Sequence, residues 1–134
     1  MTGRIIIDAA NAPLGRIASY ATKQALLGSL VSIVNCNNAL ISGRKKSILG
    51  EYREARARGG SALKGPNFPK SPERIMKRTV RGMLKYKTGR GRNAFKRVLC
   101  YNDIPQEHQD AKMISFPKIF KIKTLTLKEL SNLI

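Results

Sequence analysis

The 134-residue chain contains one histidine, two cysteines, no tryptophan and only 8 acidic residues. With His108 as the sole histidine, it has almost no material for a Ser-His-Asp triad or a multi-histidine metal site. Cys36 and Cys100 are too few for a disulfide framework and too isolated for a CxxC-type zinc site, so we expect both to be reduced, buried thiols. The sequence therefore predicts no metal, no cofactor and no small-molecule substrate.

The sequence also lacks long hydrophobic runs. No run approaches the ~18 apolar residues that a membrane span needs, and Met1–Arg4 does not lead into the apolar stretch of a secretory signal. Apolar residues still make up 42% of the chain, which is enough for a hydrophobic core. We therefore expect one folded domain over residues 1–134 that is neither secreted nor inserted in a membrane.

Positive charge is concentrated in the middle of the chain. Lys and Arg number 26, which gives a formal net charge of +18. Residues 1–43 have a net charge of +2 and residues 98–134 of +1, whereas residues 44–97 contain eighteen basic and three acidic residues, a net +15. Because like charges repel one another in a compact chain, this segment needs a polyanion to neutralise it.

The first third of the sequence has the pattern of a βαβ unit. Arg4–Asp8 is a β-branched run typical of a central strand, and Leu30–Val34 is a second one. Between them lies a helical pattern in which we expect Asn11 or Ala12 to cap the first turn and Gly28 to follow the last. A strand, a helix and a strand this close together pair in parallel. The sequence predicts an α/β fold: a small parallel sheet covered by helices on both faces.

Ser71-Pro72-Glu73 is a helix start with an N-cap serine, a proline at the first position and an acid in the first turn. At 100° per residue the side chains that follow separate into an apolar arc of about 180° and a basic arc of about 100°. The apolar arc contains Ile75, Met76, Thr79, Val80, Met83 and Leu84. The basic arc contains Arg74, Lys77, Arg78, Arg81 and Lys85. We expect the first to pack on the sheet and the second to form an exposed basic stripe.

The other patterns are shorter. They predict a strand at 39–41, a helix at 47–58, a long loop at 59–70, a Gly/basic turn at 87–92, a strand at 97–101, an irregular apolar segment from Phe116, and a short terminal helix after the capping box at 126–129.

Enzyme motifs are incomplete. Ser42–Ser47 lacks the first glycine and the spacing of a phosphate loop, and Gly89-Arg90-Gly91 lacks the third glycine of a dinucleotide fingerprint. Asp8 lies where α/β enzymes often place an acid, but no second acid accompanies it, so we expect it to bond to loop or helix-start amides. An RNA-processing enzyme that uses Asp8 with a divalent ion is the alternative from the enzyme class.

The nature of the basic side chains favours nucleic acid over lipid. Arginine makes forked contacts to phosphate, whereas the basic helix lacks the Trp and Phe of a lipid-facing element and needs its apolar face for the core. Zinc-finger, basic-zipper and RRM signatures are missing, so folded RNA is the favoured ligand. The predicted RNA-binding residues are Arg16, Arg44, Lys45, Lys46, Arg53, Arg56, Arg58, Lys64, Lys70, Arg74, Lys77, Arg78, Arg81, Lys85, Lys87, Arg90, Arg92, Lys96 and Arg97.

Several motifs follow one another in a fixed order across residues 4–105. They are Asp8-Ala9, Leu14–Ser19, Val34-Asn35 through Ile41-Ser42-Gly43, Ser71–Ile75, Val80–Leu84, Gly91–Phe95 and the strand ending at Tyr101. Their ordered combination is specific, and it resembles the universal large-subunit ribosomal protein L-thirteen family, in the short form typical of archaea and eukaryotes. Lys85 stands where the family commonly has a proline, and residues 106–123 match no family motif.

The resemblance implies a three-layer α/β/α domain with a four-stranded parallel sheet. It also implies a non-catalytic, cytoplasmic component of the large ribosomal subunit that binds large-subunit rRNA and neighbouring ribosomal proteins during assembly. The basic residues that match the family by position are Arg16, Arg44, Arg74, Arg78, Arg81, Arg92 and Arg97. A regulatory RNA-binding protein that acts outside ribosomes is the remaining alternative.

Overall fold

The computed structural model describes residues 4–57, 71–85, 87–106, 113–115 and 124–133, with backbone alone for 55–57. Its elements follow the chain in the order β1 (Arg4–Asp8), α1 (Leu14–Leu26), β2 (Leu30–Val34), β3 (Leu40–Ser42), α2 (Lys45–Ala57), α3 (Pro72–Met83), α4 (Gly89–Lys96), β4 (Val98–Cys100), β5 (Ile114–Ser115), β6 (Thr124–Thr126) and α5 (Leu127–Leu133). A 3₁₀ turn, Cys36–Asn38, follows β2. The predicted loop at 59–70, His108 and the segment from Phe116 to residue 123 lie outside the described residues.

The main sheet has four parallel strands in the order β4-β2-β1-β5. In its register Ile7 of β1 lies beside Ile33 of β2, and Ile33 lies beside Cys100 of β4. The predicted βαβ unit and the α/β class are confirmed. The short strand predicted at 39–41 is β3, but it pairs antiparallel with β6 in a separate two-stranded sheet.

Helices α1, α3 and α4 lie on one face of the main sheet. The connections from β1 to β2 and from β2 to β4 both step in the same direction across the sheet, and right-handed crossovers of that kind place their helices on the same face. The contacts of α1 with α3 and α4 agree with this arrangement. The architecture fits the predicted three-layer α/β/α fold.

The core lies between these helices and the sheet. Ile7 and Ile33 of the sheet are fully buried, as are Ile17 of α1 and Met76 and Val80 of α3. Alanines recur on the buried face of α1, and their small side chains let neighbouring helices approach closely. The apolar pattern of the sequence therefore supplies both sides of one continuous core.

Both ends of α1 are set by local backbone geometry. Pro13, in an extended conformation, occupies the N-cap, so the expectation that Asn11 or Ala12 caps the helix is wrong. Asn11 instead adopts a left-handed conformation (φ 59°), and its N–H donates to the carbonyl of Asn38. Gly28 follows the helix with φ 101°, as expected, and its N–H donates to the carbonyl of Ala25 at 3.0 Å.

Helix α3 begins at the predicted place, with a different cap. Ser71 is the N-cap residue, but its side chain makes no capping hydrogen bond. The side-chain oxygen of Asn102, just after β4, accepts from the N–H of Glu73 at 3.0 Å. At the other end Leu84 is extended (φ −108°, ψ 148°), which is the conformation that a residue before proline adopts, although Lys85 follows here.

Residues 87–92 are not the predicted Gly/basic turn, because α4 begins at Gly89. The hydroxyl of Thr88 accepts from the N–H of Gly91 at 3.1 Å and caps the helix. A Cβ at Gly91 would collide with the carbonyl of Lys85, so the glycine allows the first turn of α4 to lie against the end of α3. Gly91, one of the two glycines that indicate a turn, thus allows a close approach of two backbones.

The C-terminal helix has the predicted cap. The hydroxyl of Thr126 accepts from the N–H of Glu129 at 3.2 Å, at the start of α5. Leu127 and Leu130 of this helix are fully buried. The backbone N–H of Leu127 donates to the carbonyl of Ala39, which fixes α5 beside β3.

Candidate nucleic-acid interface

The structure divides the predicted RNA-binding residues into three groups. Eleven are exposed: Arg16, Arg44, Lys45, Lys46, Arg53, Arg74, Lys85, Lys87, Arg90, Arg92 and Lys96. Four are half-buried: Lys77, Arg78, Arg81 and Arg97. The side chain of Arg56, and Arg58, Lys64 and Lys70 altogether, lie outside the described residues.

Helix α3 has the two faces that its sequence predicts. Ile75, Met76 and Val80 are buried against the core, and Arg74 is exposed on the opposite side. Met83, which the helical projection places in the apolar arc, lies in the last turn of the helix and is 45% exposed. The prediction of an exposed basic stripe holds at its ends, Arg74 and Lys85, and is wrong in its middle, where Lys77, Arg78 and Arg81 are half-buried.

Four exposed basic residues surround the junction of α3 and α4: Lys85, Lys87, Arg90 and Arg92, which we call the α3–α4 corner. Thr88 holds this corner together, because its hydroxyl donates to the carbonyl of Lys85 at 2.7 Å and accepts from Gly91. The backbone of the corner is thus fixed by internal hydrogen bonds while its charged side chains point away from the core.

Lys77 has a different environment from its neighbours. Its ammonium donates to the carbonyl of Phe95 at 2.9 Å and to that of Val98, and lies 4.3 Å from the centre of the Phe95 ring. Burial lowers the pKa of Lys77, and the interaction with the Cys100 thiol opposes that shift. Two of its three N–H donors are therefore used inside the protein, where they join α3 to α4 and β4.

Arg97 is similarly engaged. Its guanidinium donates to the carbonyl of Ala25 at 2.9 Å, in the last turn of α1, where a positive charge also interacts favourably with the helix dipole. Arg53 is exposed, and its guanidinium donates to the carbonyl of Leu133 at 2.8 Å, so it links α2 to α5. These contacts give three residues of the predicted set a structural role in addition to any contact with a ligand.

Acidic residues hardly offset this surface. Residues 71–97 contain ten basic residues and one acidic residue, Glu73. The Oε2 atom of Glu73 is buried and finds no hydrogen-bond partner among the residues that the structure describes, so this oxygen faces the interior rather than the ligand side. The face formed by α3 and the α3–α4 corner is strongly positive as a result.

Asp8 binds amide groups in the turns that follow β1 and β2. Its Oδ1 atom accepts from the N–H of Ala10 at 3.0 Å and from the side-chain amide of Asn35 at 2.9 Å. Asn35 is left-handed (φ 59°), so the carboxylate connects the two turns that follow β1 and β2. The expectation that Asp8 bonds to nearby amides is confirmed.

Residues 3–107 match the family described as Ribosomal protein L13. The chain belongs to this family. It is 49% identical over 111 residues to the large ribosomal subunit protein uL13 of Methanosarcina barkeri, a match that covers 82% of this chain and 79% of the relative. It is 41% identical over 129 residues to uL13 of Natronomonas pharaonis, which covers 96% of this chain and 88% of the relative. The family predicted from the sequence motifs is confirmed.

Membership in the L13 family also tests the alternative of an RNA-processing enzyme. Because the family consists of ribosomal proteins, the prediction that the chain is not an enzyme is confirmed. Among the described residues, none of the helices has the length and apolar content needed to cross a bilayer.

Some residues that organise this surface escape sequence reasoning. Asn102 caps α3 across 29 positions of sequence, and no local pattern indicates that contact. For Lys77 the sequence contains a weak sign of an internal role, because the helical projection places this residue at the edge of the basic arc, beside Leu84. Its structural role follows from that boundary position once α4 is known to lie alongside.

Proposed function

We propose that this L13-family chain is a structural constituent of the large ribosomal subunit in the cytoplasm, where it clamps segments of rRNA and contacts neighbouring ribosomal proteins. The observation that carries the proposal is the positive face made by α3 and the α3–α4 corner, with one inward-facing acid among ten basic residues. The relatives are named as proteins of the large ribosomal subunit, which agrees with such a role.

The affinity in this proposal comes from neutralised phosphates. Each exposed Lys or Arg that approaches a phosphate releases condensed counterions, and arginine adds forked hydrogen bonds to the phosphate oxygens. Arg74 on α3 and Arg90 and Arg92 on α4 are exposed, so arginine side chains reach solvent from two different helices. Because these arginines lie on two different helices, they can contact separate RNA segments, as a clamp requires.

The rigidity in this proposal comes from the internal contacts of the basic region. Lys77 ties α3 to α4 and β4, Arg97 ties the end of α4 to α1, and Thr88 fixes the corner. The two charged helices are therefore held in one arrangement before RNA binds. Less conformational entropy is lost on binding when the contacting groups are already ordered.

The test is incorporation into ribosomes of a charge-reversed variant, Arg90→Glu with Arg92→Glu. The matched control is Lys23→Glu with Lys128→Glu, which changes the net charge equally at two exposed positions outside the predicted RNA-binding set. We expect the control to co-sediment with large subunits in a sucrose gradient and the corner variant to shift to the soluble fractions.

Equal co-sedimentation of both variants would contradict an RNA-contacting corner. Circular dichroism of each purified variant checks that loss of incorporation does not reflect unfolding. Sedimentation of the wild-type protein away from ribosomal particles would favour the alternative of a regulatory protein outside ribosomes.

A further inference from the structure

The two cysteines, 64 positions apart in the sequence, meet at one point of the fold. The carbonyl of Ile33 accepts from the N–H of Tyr101 at 2.8 Å, and the Sγ of Cys36 lies 3.7 Å from the same oxygen. The N–H of Cys36 donates to the carbonyl of Tyr101 at 3.1 Å. Ile33 is also the register partner of Cys100, so the backbones that carry the two thiols are bonded to each other on both sides of Cys36.

Both cysteines are free thiols, and the pairing of Ile33 with Cys100 and the hydrogen bond between Cys36 and Tyr101 hold them next to each other. The neighbouring Cys100 thiol, together with burial, raises the pKa of Cys36. Cys36 is fully buried, whereas Cys100 is half-buried. The sequence led us to expect two buried, inert cysteines, and the structure instead brings them together with one of them reachable from solvent.

We propose that Cys36 and Cys100 form a reversible intramolecular disulfide when the protein meets a disulfide oxidant such as oxidised glutathione. Cys100 reacts first because it is the more exposed of the two thiols. Cys36 then acts as the resolving thiol, since the backbone hydrogen bonds between its turn and Tyr101 hold it next to Cys100.

The reaction balances in two exchange steps. Cys100 attacks oxidised glutathione, so an S–S bond to glutathione forms at Cys100 and one reduced glutathione leaves with the proton from the thiol. Cys36 then attacks the Cys100 sulfur, the Cys36–Cys100 bond forms, and a second reduced glutathione leaves with the second proton. The two cysteines lose two electrons in total, and oxidised glutathione gains them.

The position of this bond gives it a consequence for the basic region. The chain between the two cysteines contains the whole basic segment 44–97, so the disulfide closes a loop around it. A cross-link of this kind restricts the unfolded chain far more than the folded one. The oxidised protein would thus keep its fold when the net charge of +18 is not neutralised by a polyanion.

The experiment treats the full-length reduced protein with oxidised glutathione in the absence of RNA. We expect the intact mass to fall by about 2 Da as two hydrogens are lost. A digest without reductant should contain one peptide pair linked through Cys36 and Cys100, and the thermal midpoint should rise by about 10 °C. Added dithiothreitol should reverse all three changes.

Two single variants separate this mechanism from simple surface oxidation. Cys36→Ser, which keeps the exposed thiol, should retain one glutathione at Cys100. Cys100→Ser should remain unmodified because its only thiol is buried. Wild-type protein that stops at the glutathione adduct, stays fully reduced, or yields only dimers linked between chains would overturn the proposal. Because no RNA is present, the result is independent of the proposed ribosomal function.

Discussion

Helices α1 and α3 have nearly the same length, 13 and 12 residues, and they pack against each other, yet their outer faces differ. Helix α1 contains Arg16 and Lys23 as its only basic residues, whereas α3 contains four. Both helices bury a stripe of apolar side chains in the core. Helix α1 thus folds and packs without a basic stripe, whereas α3 has one basic residue with an internal role, Lys77, and one that is exposed, Arg74, whose charge we attribute to the proposed RNA contact.

The salt dependence of RNA binding is the largest effect that this comparison predicts. If the basic faces contact about six to ten phosphates, the affinity for rRNA falls about 10³- to 10⁵-fold between 50 and 200 mM salt. Arg90→Glu with Arg92→Glu should flatten the slope of log affinity against log salt by about 2, whereas Lys23→Glu on α1 should leave it unchanged. Filter binding over a salt series measures both. A wild-type affinity that hardly depends on salt would rule out electrostatic clamping.

The buried faces should respond to a different kind of change. Met76→Ala removes a fully buried side chain of α3 and leaves a cavity beside α1, so the free energy of unfolding should fall by about 2–5 kcal/mol. Met83→Ala on the same helix is the control, and it should cost much less because Met83 is 45% exposed. Urea denaturation followed by circular dichroism measures the difference. Equal costs at the two positions would show that α3 does not pack as described.

Lys77 sharpens the comparison, because it is a basic residue of α3 with an internal role. Lys77→Met leaves the carbonyls of Phe95 and Val98 without this donor, and we expect a loss of about 1–3 kcal/mol in the free energy of unfolding. Arg74→Met, at an exposed position, should hardly change stability but should weaken RNA binding. If Arg74→Met lowered stability more than Lys77→Met, and Lys77→Met weakened RNA binding more than Arg74→Met, the roles assigned to the two residues would be wrong.

The pH dependence of stability gives a second readout for Lys77. Burial lowers the pKa of Lys77 in the folded protein, so in the window between that lowered pKa and the usual value near 10.4 the unfolded chain binds more protons. In this window the free energy of unfolding of the wild type should rise with pH relative to Lys77→Met. Below the lowered pKa the difference between the two proteins should be constant.

Local patterns predicted most of what depends on neighbouring residues. β1, α1 and β2, the left-handed Gly28, the two arcs of α3 and the cap at Thr126 all follow from spacing and residue type. The pairing of β3 with β6 and the capping of α3 by Asn102 join distant positions, so no local pattern contains them. The glycines of helix α4 predict a turn, because the sequence does not show that Gly91 serves a close approach to the residues that follow α3.

The same difference between local patterns and contacts of distant positions applies to the candidate site. The concentration of positive charge and the buried side of α3 could be predicted, because charge density and helical periodicity are properties of the sequence, whereas the RNA contacts themselves stay a prediction. The internal roles of Lys77 and Arg97 could not, since each depends on a carbonyl supplied by another element. A count of basic residues therefore overstates the number that are free to contact a ligand.

The contact between Gly91 and the carbonyl of Lys85 has a consequence for recognition. With no side chain as a spacer, the main chain itself fixes where α4 begins relative to the end of α3. If the corner binds RNA as proposed, its charged side chains start from a backbone of fixed geometry. An RNA whose phosphates match that spacing would then bind without rearrangement of the protein backbone, and an RNA whose phosphates do not match would bind more weakly.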